Sequence, residues 1–342
     1  MIMTTENKIL KKESFSTLID KLISDQKKVL GPVKNGDLVD YALVNAASDL
    51  TDDYILTVSS AKSAAFPKIE KLLSFTNSKE GSTVTDVDFN NLPELVIVGA
   101  RPCDANGFAA LNAIFTWDYK DVIFTKRLEK TTVIGMSCSK CDDYCFCTSV
   151  GGNPGSTEGS DILLTRMGDG NYLAEIVTEK GSKFYEAYSM FFEPAGDQAK
   201  DSMLANVPVK FDHKEIVSKL DGFFESEVWA EQSMRCIGCG ACAYVCPTCA
   251  CFDIQDENKG KNGVRLRLWD SCGLSLFTLH TSGHNPREVQ SQRWRQRILH
   301  KFSYMPDRLN VLGCVGCGRC SRACPADMNI IEHLSNLMEV KK

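Results

Sequence analysis

Hydrophobic positions in the first half of the chain alternate between the spacing of helices and that of strands. An early segment carries apolar residues at helical spacing after serines able to cap a helix, which predicts an amphipathic helix built on Phe15, Leu18, Ile19, Leu22 and Ile23. Short β-rich runs predict strands at residues 54–58, 95–98, 122–124 and 132–136. Helical patterns lie between them at residues 67–73 and 104–115. This alternation predicts a small α/β domain with a partly parallel sheet.

The same criteria predict a hairpin and two helices further along the chain. Residues 161–176 form two short apolar runs around Gly168-Asp169-Gly170, a hairpin signal. Asp212, with Glu215 three residues on, begins a capped amphipathic helix. The last predicted helix carries Ile330, Ile331, Leu334, Leu337 and Met338. We expect the α/β domain to span residues 1–215 and a second domain to span residues 216–342.

The amino-acid composition indicates the redox environment in which the protein works. The chain has 342 residues, long enough for two domains, and 43% of them are hydrophobic. Sixteen cysteines are far above ordinary usage. Because the N-terminal stretch lacks the apolar core of a signal peptide, we expect metal-ligating thiols in a reducing cytoplasm rather than disulfides. No run approaches the roughly 18 apolar residues of a membrane span, so no membrane partner is predicted.

Charge is unevenly distributed along the chain. Residues 226–342 contain 15 Lys and Arg against 11 Asp and Glu, net +4, whereas the whole chain is −5. The same residues contain 11 of the 16 cysteines, so we expect the basic surplus to offset the negative charge of the metal group that these thiolates hold. The acidic total disfavours binding to nucleic acid.

Two copies of one cysteine pattern dominate the last third of the chain. Each reads C-x2-C-x2-C-x3-C-P, in which three thiolates can surround one side of a cubane and the fourth ligates the other cluster of a pair. We therefore predict two [4Fe-4S] clusters with crossed ligands. The first set is Cys236, Cys239, Cys242 and Cys324, and the second set is Cys314, Cys317, Cys320 and Cys246. Zinc knuckles also use C-x2-C, but a structural zinc site needs neither the third cysteine nor the proline.

Five more cysteines follow two predicted strands, where ligands gather in open α/β sheets. Any one of them could be a small buried hydrophobe, but four within ten residues favour thiolate ligands of an iron-sulfur cluster or zinc. We predict a third [4Fe-4S] cluster. Its ligands, the third set, are Cys103, Cys138, Cys145 and Cys147. Cys141 is the predicted spare thiol because it falls inside the polar loop 139–143, and the glycine-rich loop 151–155 should let backbone amides approach the same site.

The strand that runs into Gly99 could instead open a nucleotide site, but it lacks G-x-G-x-x-G. We find no nucleophile with its base, no phosphate loop and no carboxylate pair, and so predict no catalytic residue.

The two cysteine motifs are separated by an insertion, residues 247–313, where a minimal two-cluster ferredoxin has a short connection. Its cysteines, Cys249, Cys251 and Cys272, could be buried thiols or further ligands. Its basic run contains Arg293, Arg295, Arg297, His300 and Lys301. These residues could form a solvated helix face, donate hydrogen bonds to cluster sulfurs and raise their potentials, or dock an acidic partner. The predicted fold is thus an α/β domain followed by an α+β, two-[4Fe-4S] ferredoxin-like domain with a long insertion.

Several local motifs together suggest a family. They are Arg101-Pro102-Cys103-Asp104, Cys145-Phe146-Cys147 with Gly151-Gly152-Asn153-Pro154, the run CPTCACF at 246–252, and Trp269-Asp270-Ser271-Cys272. From about residue 90 to 335 the chain resembles the iron-sulfur β subunits of soluble sulfhydrogenase-type NiFe hydrogenases. Over nearly the same length it is similar to an iron-sulfur component of anaerobic sulfite reductases.

This resemblance implies an electron-transfer subunit of an oxidoreductase complex without substrate chemistry of its own. One implied partner is a flavoprotein that carries FAD, an iron-sulfur centre and the NAD(P)H site. The other is a terminal redox unit of the NiFe hydrogenase, sulfite reductase or heterodisulfide reductase type. The competing hypothesis is a stand-alone reductase with an active-site iron-sulfur cluster. An iron-sulfur regulator would need a DNA-reading module, and the sequence shows none.

Overall fold

The computed structural model describes residues 6–196 and 198–340. The strands, in chain order, are β1 (Glu6–Leu10), β2 (Lys28–Asn35), β3 (Leu38–Val44), β4 (Ile69–Ser78), β5 (Gly81–Asp86), β6 (Leu95–Ala100), β7 (Thr131–Met136), β8 (Ile162–Arg166), β9 (Tyr172–Ile176), β10 (Phe192–Pro194), β11 (Phe252–Lys259) and β12 (Asn262–Trp269). The helices are α1 (Lys12–Ser24), α2 (Pro102–Thr116), α3 (Val122–Glu129), α4 (Glu179–Ala187), α5 (His213–Leu220), α6 (Val228–Ser233), α7 (Ala241–Tyr244), α8 (Gln290–Leu299), α9 (Met305–Leu309), α10 (Arg319–Arg322) and α11 (Ile330–Glu339). A π-helical segment, His300–Tyr304, joins α8 to α9.

The main sheet has eight strands in the order β10-β1-β9-β8-β7-β6-β2-β3. Its centre is parallel, because β6 pairs in parallel with β2 and β7, and β7 with β8. Strand β6 is buried along most of its length, as expected for a parallel strand covered on both faces. Helix α1 packs on the sheet through Leu18, Ile19 and Leu22. The predicted α/β character of this region is confirmed.

A second, four-stranded sheet has the order β11-β12-β4-β5. The β11–β12 hairpin belongs to the insertion, and β12 pairs antiparallel with β4 from the N-terminal part. Buried Arg267 on β12 reinforces this junction through Nε, which donates to Glu70 Oε2 at 3.0 Å. The second sheet thus contains strands from both sides of residue 215, and the division into 1–215 and 216–342 stays a prediction.

The C-terminal elements pack around the cysteine motifs in a core that also includes Phe146, Val150 and Phe211. Gln232 on α6 links three helices, because its Oε1 accepts from Trp294 Nε1 at 3.0 Å and its Nε2 donates to His333 O at 3.0 Å. The short helices α7 and α10 each carry the third cysteine of one motif, Cys242 and Cys320. The two motifs therefore have the same local fold, as their repeated sequence predicts.

Three of the sequence-based assignments are wrong. Residues 54–58 form no strand; they are irregular because buried Arg101 donates to the Tyr54 and Ile55 carbonyls. Residues 67–73 are not helical, since 69–73 begin β4, whose partner β12 lies nearly two hundred residues later. Residues 122–124 begin α3 instead of a strand, because the Asp121 carboxylate accepts from Phe124 N at 2.8 Å and caps that helix.

The remaining predicted elements are present. The first helix, both strands that precede the third-set cysteines and the helix between them correspond to α1, β6, β7 and α2. The predicted serine cap of the first helix is wrong, because α1 already begins at Lys12 and its N-cap residue, Lys11, makes no side-chain capping bond. The hairpin is β8–β9. The helix after Asp212 is α5, and the last helix is α11, capped by Asn329, whose side chain accepts from Ile331 N at 3.1 Å.

Candidate metal centres

The four cysteines of the first set line one cavity between α7, the loop before it and the start of α11. Gly238 and Gly240 both have positive φ, 69° and 75°, which lets the loop turn twice between the cysteines. A Cβ on Gly240 would also lie 3.1 Å from Ser271 Cβ. The glycines thus allow a close approach that larger residues would oppose.

Neutral groups donate hydrogen bonds to the first set. Gln290 Nε2 donates to Cys236 Sγ at 2.9 Å, and the Met328 backbone N–H donates to Cys324 Sγ at 3.3 Å. Burial raises the pKa of the Cys242 thiol to about 11, against the opposing effect of Arg297. Cys239 is exposed, so this cavity reaches the protein surface.

The second set lies deeper in the protein. Cys246 and Cys317 are buried, whereas Cys314 and Cys320 are partly buried. Gly316 and Gly318 repeat the positive φ of the first motif, at 66° and 69°.

The electrostatic environment of these thiols is mixed. Burial raises the pKa of Cys314 to about 12 and that of Cys317 to about 11. Cys246 differs, because a hydrogen bond from Cys249 and the Lys301 ammonium hold its pKa well below the ordinary value. The second set therefore includes one thiol that already favours the thiolate form a metal requires.

The third-set cysteines line a cavity at the carboxyl ends of β6 and β7. Cys103 lies in the first turn of α2, and Cys138 follows β7 by two residues. Burial raises the pKa of Cys138 to about 11 and that of Cys147 to about 12. Cys141 lines the same cavity but donates its thiol proton to Asn206 O at 3.4 Å. All five cysteines therefore line one cavity, and the one predicted to be spare, Cys141, has a hydrogen-bond partner outside the set.

The three sets are contiguous, with the second set in the middle. Cys317 of the second set lines the third-set cavity, and Cys320 lines the first-set cavity. The backbone contact on the third-set side is tight, since Phe146 N donates to Gly316 O at 2.9 Å. A Cβ on Gly316 would lie 2.5 Å from Cys147 Cα.

Five buried cations surround the cavities, and none of them has a carboxylate partner within 4 Å in the described residues. They are Lys62, Arg101, Arg293, Arg297 and Lys301. Buried Arg267 and Arg319 do have such partners, Glu70 and Asp104. Buried charges are normally paired, so the five cations fit sites built to hold anionic groups. Thiolate-ligated [4Fe-4S] clusters meet this requirement.

The insertion cysteines lie close to the first two sets. Arg297 Nη1 donates to Cys249 Sγ at 3.7 Å, and its Nη2 donates to Cys242 O at 3.3 Å. A hydrogen bond from the Cys272 thiol lowers the pKa of Cys251, and Cys272 also lines the first-set cavity. Cys249 therefore contacts the second set through Cys246, and Cys272 borders the first-set cavity with Cys251 as its partner.

Sequence reasoning missed two groups at these sites. Lys62 donates to Ala243 O and Cys249 O, both at 3.0 Å, from a 3-10 turn with no motif of its own. Gln290, which donates to Cys236 Sγ, also lies in no recognisable sequence motif. Neither carried a sequence signal, because their roles depend on contacts between segments far apart in the chain.

Comparison with known proteins identifies the family. A family model described as a 4Fe-4S dicluster domain matches residues 235–328, which contain both complete cysteine motifs and imply two [4Fe-4S] clusters. The chain is 30% identical over 341 residues to sulfhydrogenase 2 subunit beta of Pyrococcus furiosus, covering 97% of this chain and 98% of that protein. Among the described residues, no helix is long and apolar enough to cross a membrane. The predicted resemblance is confirmed: the chain belongs to the family of sulfhydrogenase iron-sulfur β subunits and is an iron-sulfur electron-transfer protein.

Proposed function

We propose that this chain relays electrons through three [4Fe-4S] clusters in the order third set, second set, first set. The observation that supports this order is the shared wall on each side of the second set, where Cys317 borders one neighbouring cavity and Cys320 the other. Electrons that follow a single path must pass through a middle cluster that lies next to both of the others. The second set fits this role, because two of its cysteines border the neighbouring cavities. The first and second ligand sets are those predicted from the crossed motifs, and the third is the one predicted from the strand ends.

The protein supplies ligands, charge compensation and exclusion of water. When bound, each cluster takes up and releases one electron. The thiols of each set would hold it, and the buried cations would offset its negative charge. Hydrogen bonds to ligand sulfurs, such as that from Gln290 Nε2 to Cys236 Sγ, would hold the ligands in place and adjust each potential.

The two ends of the path suit contacts with other subunits. Cys239 makes the first-set end accessible from solvent, and Lys140 and Ile55 border the third-set cavity at the other end. We propose that one end receives electrons from a flavoprotein subunit with FAD, an iron-sulfur centre and an NAD(P)H site. The other would serve a terminal redox unit. Because the relative is named a sulfhydrogenase subunit, a hydrogenase is the first choice, ahead of sulfite or heterodisulfide reductase units.

A reduction assay tests the relay directly. The isolated chain, prepared anaerobically with its clusters, should be reduced by dithionite but not by NADH or NADPH at a useful rate. Addition of the flavoprotein partner should restore reduction by the nicotinamide. Rapid bleaching of the isolated chain by NADH, with flavin bound to it, would contradict the relay and favour a stand-alone reductase.

A further inference from the structure

Over residues 6–196 and 198–340, Lys301 differs from the other charged groups around the three sets, because it donates directly to a predicted ligand sulfur and has no carboxylate partner within 4 Å. Its Nζ lies 3.3 Å from Cys246 Sγ, and the side chain is only 4% exposed. Arg322 also reaches a ligand sulfur, Cys145 Sγ at 3.5 Å, but its charge is paired with Asp142. Cys236 Sγ accepts its hydrogen bond from a neutral group, the side-chain amide of Gln290.

The fold holds this ammonium in place from several directions. Lys301 Nζ also donates to Thr248 Oγ1 at 3.0 Å and to Gly313 O at 2.6 Å. Thr248 Oγ1 in turn donates to Gly313 O at 2.6 Å. Gly313 can approach this closely only because it has no side chain: a Cβ there would lie 2.8 Å from Lys301 Cα. The π-helical segment that begins at His300 places Lys301 in this position.

The positive charge of Lys301 matters for the second set because that set is buried in the protein. An added electron makes a cluster more negative, and burial disfavours the more negative state. The second set lies between the other two sets and includes the buried thiols Cys246 and Cys317. Without compensation, a cluster there would be the hardest of the three to reduce, and the relay would meet an unfavourable step at its centre.

We propose that Lys301 is the positioning residue that raises the reduction potential of the second cluster to a level its neighbours can reach. The inference rests on the proposed three-cluster relay. One electron passes from a neighbouring reduced cluster to the oxidised second cluster, and no proton needs to move because the ammonium already carries its charge. Its hydrogen bond to Cys246 Sγ strengthens as the sulfur becomes more negative.

The test is an anaerobic redox titration followed by EPR, with Lys301→Met compared with wild type. Lys219→Met is the matched control, since Lys219 Nζ donates to Met338 O on α11 and to no ligand sulfur in the described residues. Lys301→Met should lower the equilibrium constant for reduction of the second cluster about tenfold, which corresponds to about 59 mV for a one-electron couple. The other two clusters should change less than twofold, and the control should match wild type. Cys314→Ser, which changes a ligand from the second motif itself, identifies the signal of the second cluster.

Each other outcome contradicts a stated part of the reasoning. A second cluster that is present in Lys301→Met with an unchanged potential would overturn the role of Lys301 but leave the relay intact. If Lys301→Met loses that cluster, Lys301→Gln is titrated in its place. Loss from both neutral variants would show that Lys301 serves to hold the cluster and would overturn the potential-setting role. Absence of the second cluster from wild type would instead refute the proposed function itself.

Discussion

The ion pair between Arg319 and Asp104 should be one of the strongest single links between the ferredoxin motifs and the α/β part. Arg319 lies between Cys317 and Cys320, and Asp104 follows Cys103. Arg319 Nη2 is 2.7 Å from Asp104 Oδ2, and the two side chains are 2% and 0% exposed. Both partners are therefore almost fully removed from water.

Removal of one partner should leave the other charge buried and unpaired. We expect Asp104→Asn to destabilise the protein by about 3–5 kcal/mol, the range for a broken buried pair. Arg319 would retain its bonds from Nε to Thr57 O and from Nη2 to Thr57 Oγ1, both 2.9 Å, which favours the lower end of the range. The double variant Asp104→Leu/Arg319→Met should recover much of the loss, because replacing both charges removes the unpaired ion.

Anaerobic urea denaturation of the cluster-loaded chain measures this effect. The control is Asp256→Asn, which breaks the exposed pair of Arg265 Nε and Asp256 Oδ1 at 2.8 Å; its side chains are 47% and 37% exposed. An exposed pair should contribute about 0–1 kcal/mol. Equal losses from Asp104→Asn and Asp256→Asn would refute the argument from burial.

Four further predictions concern the sites. Cys246→Ser should alter the EPR signal of the cluster held by the second set; a change confined to the first-set cluster would mean that the motifs are not crossed. Gly316→Ala should reduce occupancy of the third site, because the new methyl group would meet Cys147 and the backbone has positive φ, while Gly168→Ala, with open space around it, should not. Cys141→Ser should retain its full iron content, and a loss of about four irons would make Cys141 a ligand. Exposed Cys239 should be the first-set thiol that a bound partner protects from alkylation in the metal-free chain, and equal labelling with and without the partner would oppose a docking site there.

Sequence patterns were most informative where chemistry and local structure depend on adjacent residues. The two cysteine motifs, β6, β7 and α2 are all determined within short segments, because spacing and hydrophobic runs are local properties. The convergence of Cys103 with the cysteines after β7 also followed from a general rule on where parallel strands end.

Two of the three wrong assignments lie where a distant segment determines the local structure, whereas the third, at 122–124, missed a local helix cap at Asp121. Residues 69–78 form a strand because β12 pairs with them, and no window around residue 70 contains that information. Arg101 orders residues 54–58 by a similar long-range contact. The roles of Lys62 and Gln290 could not be predicted from the sequence for the same reason, because each side chain acts on atoms from a distant part of the chain.

Iron content tests the central claim most directly. The chain purified anaerobically at full occupancy should contain about twelve irons, four for each of three cubanes, and Cys103→Ser should retain about eight. The two remaining clusters of that variant should keep their EPR signals. About eight irons in the fully occupied wild type, with no loss from Cys103→Ser, would contradict the three-cluster relay.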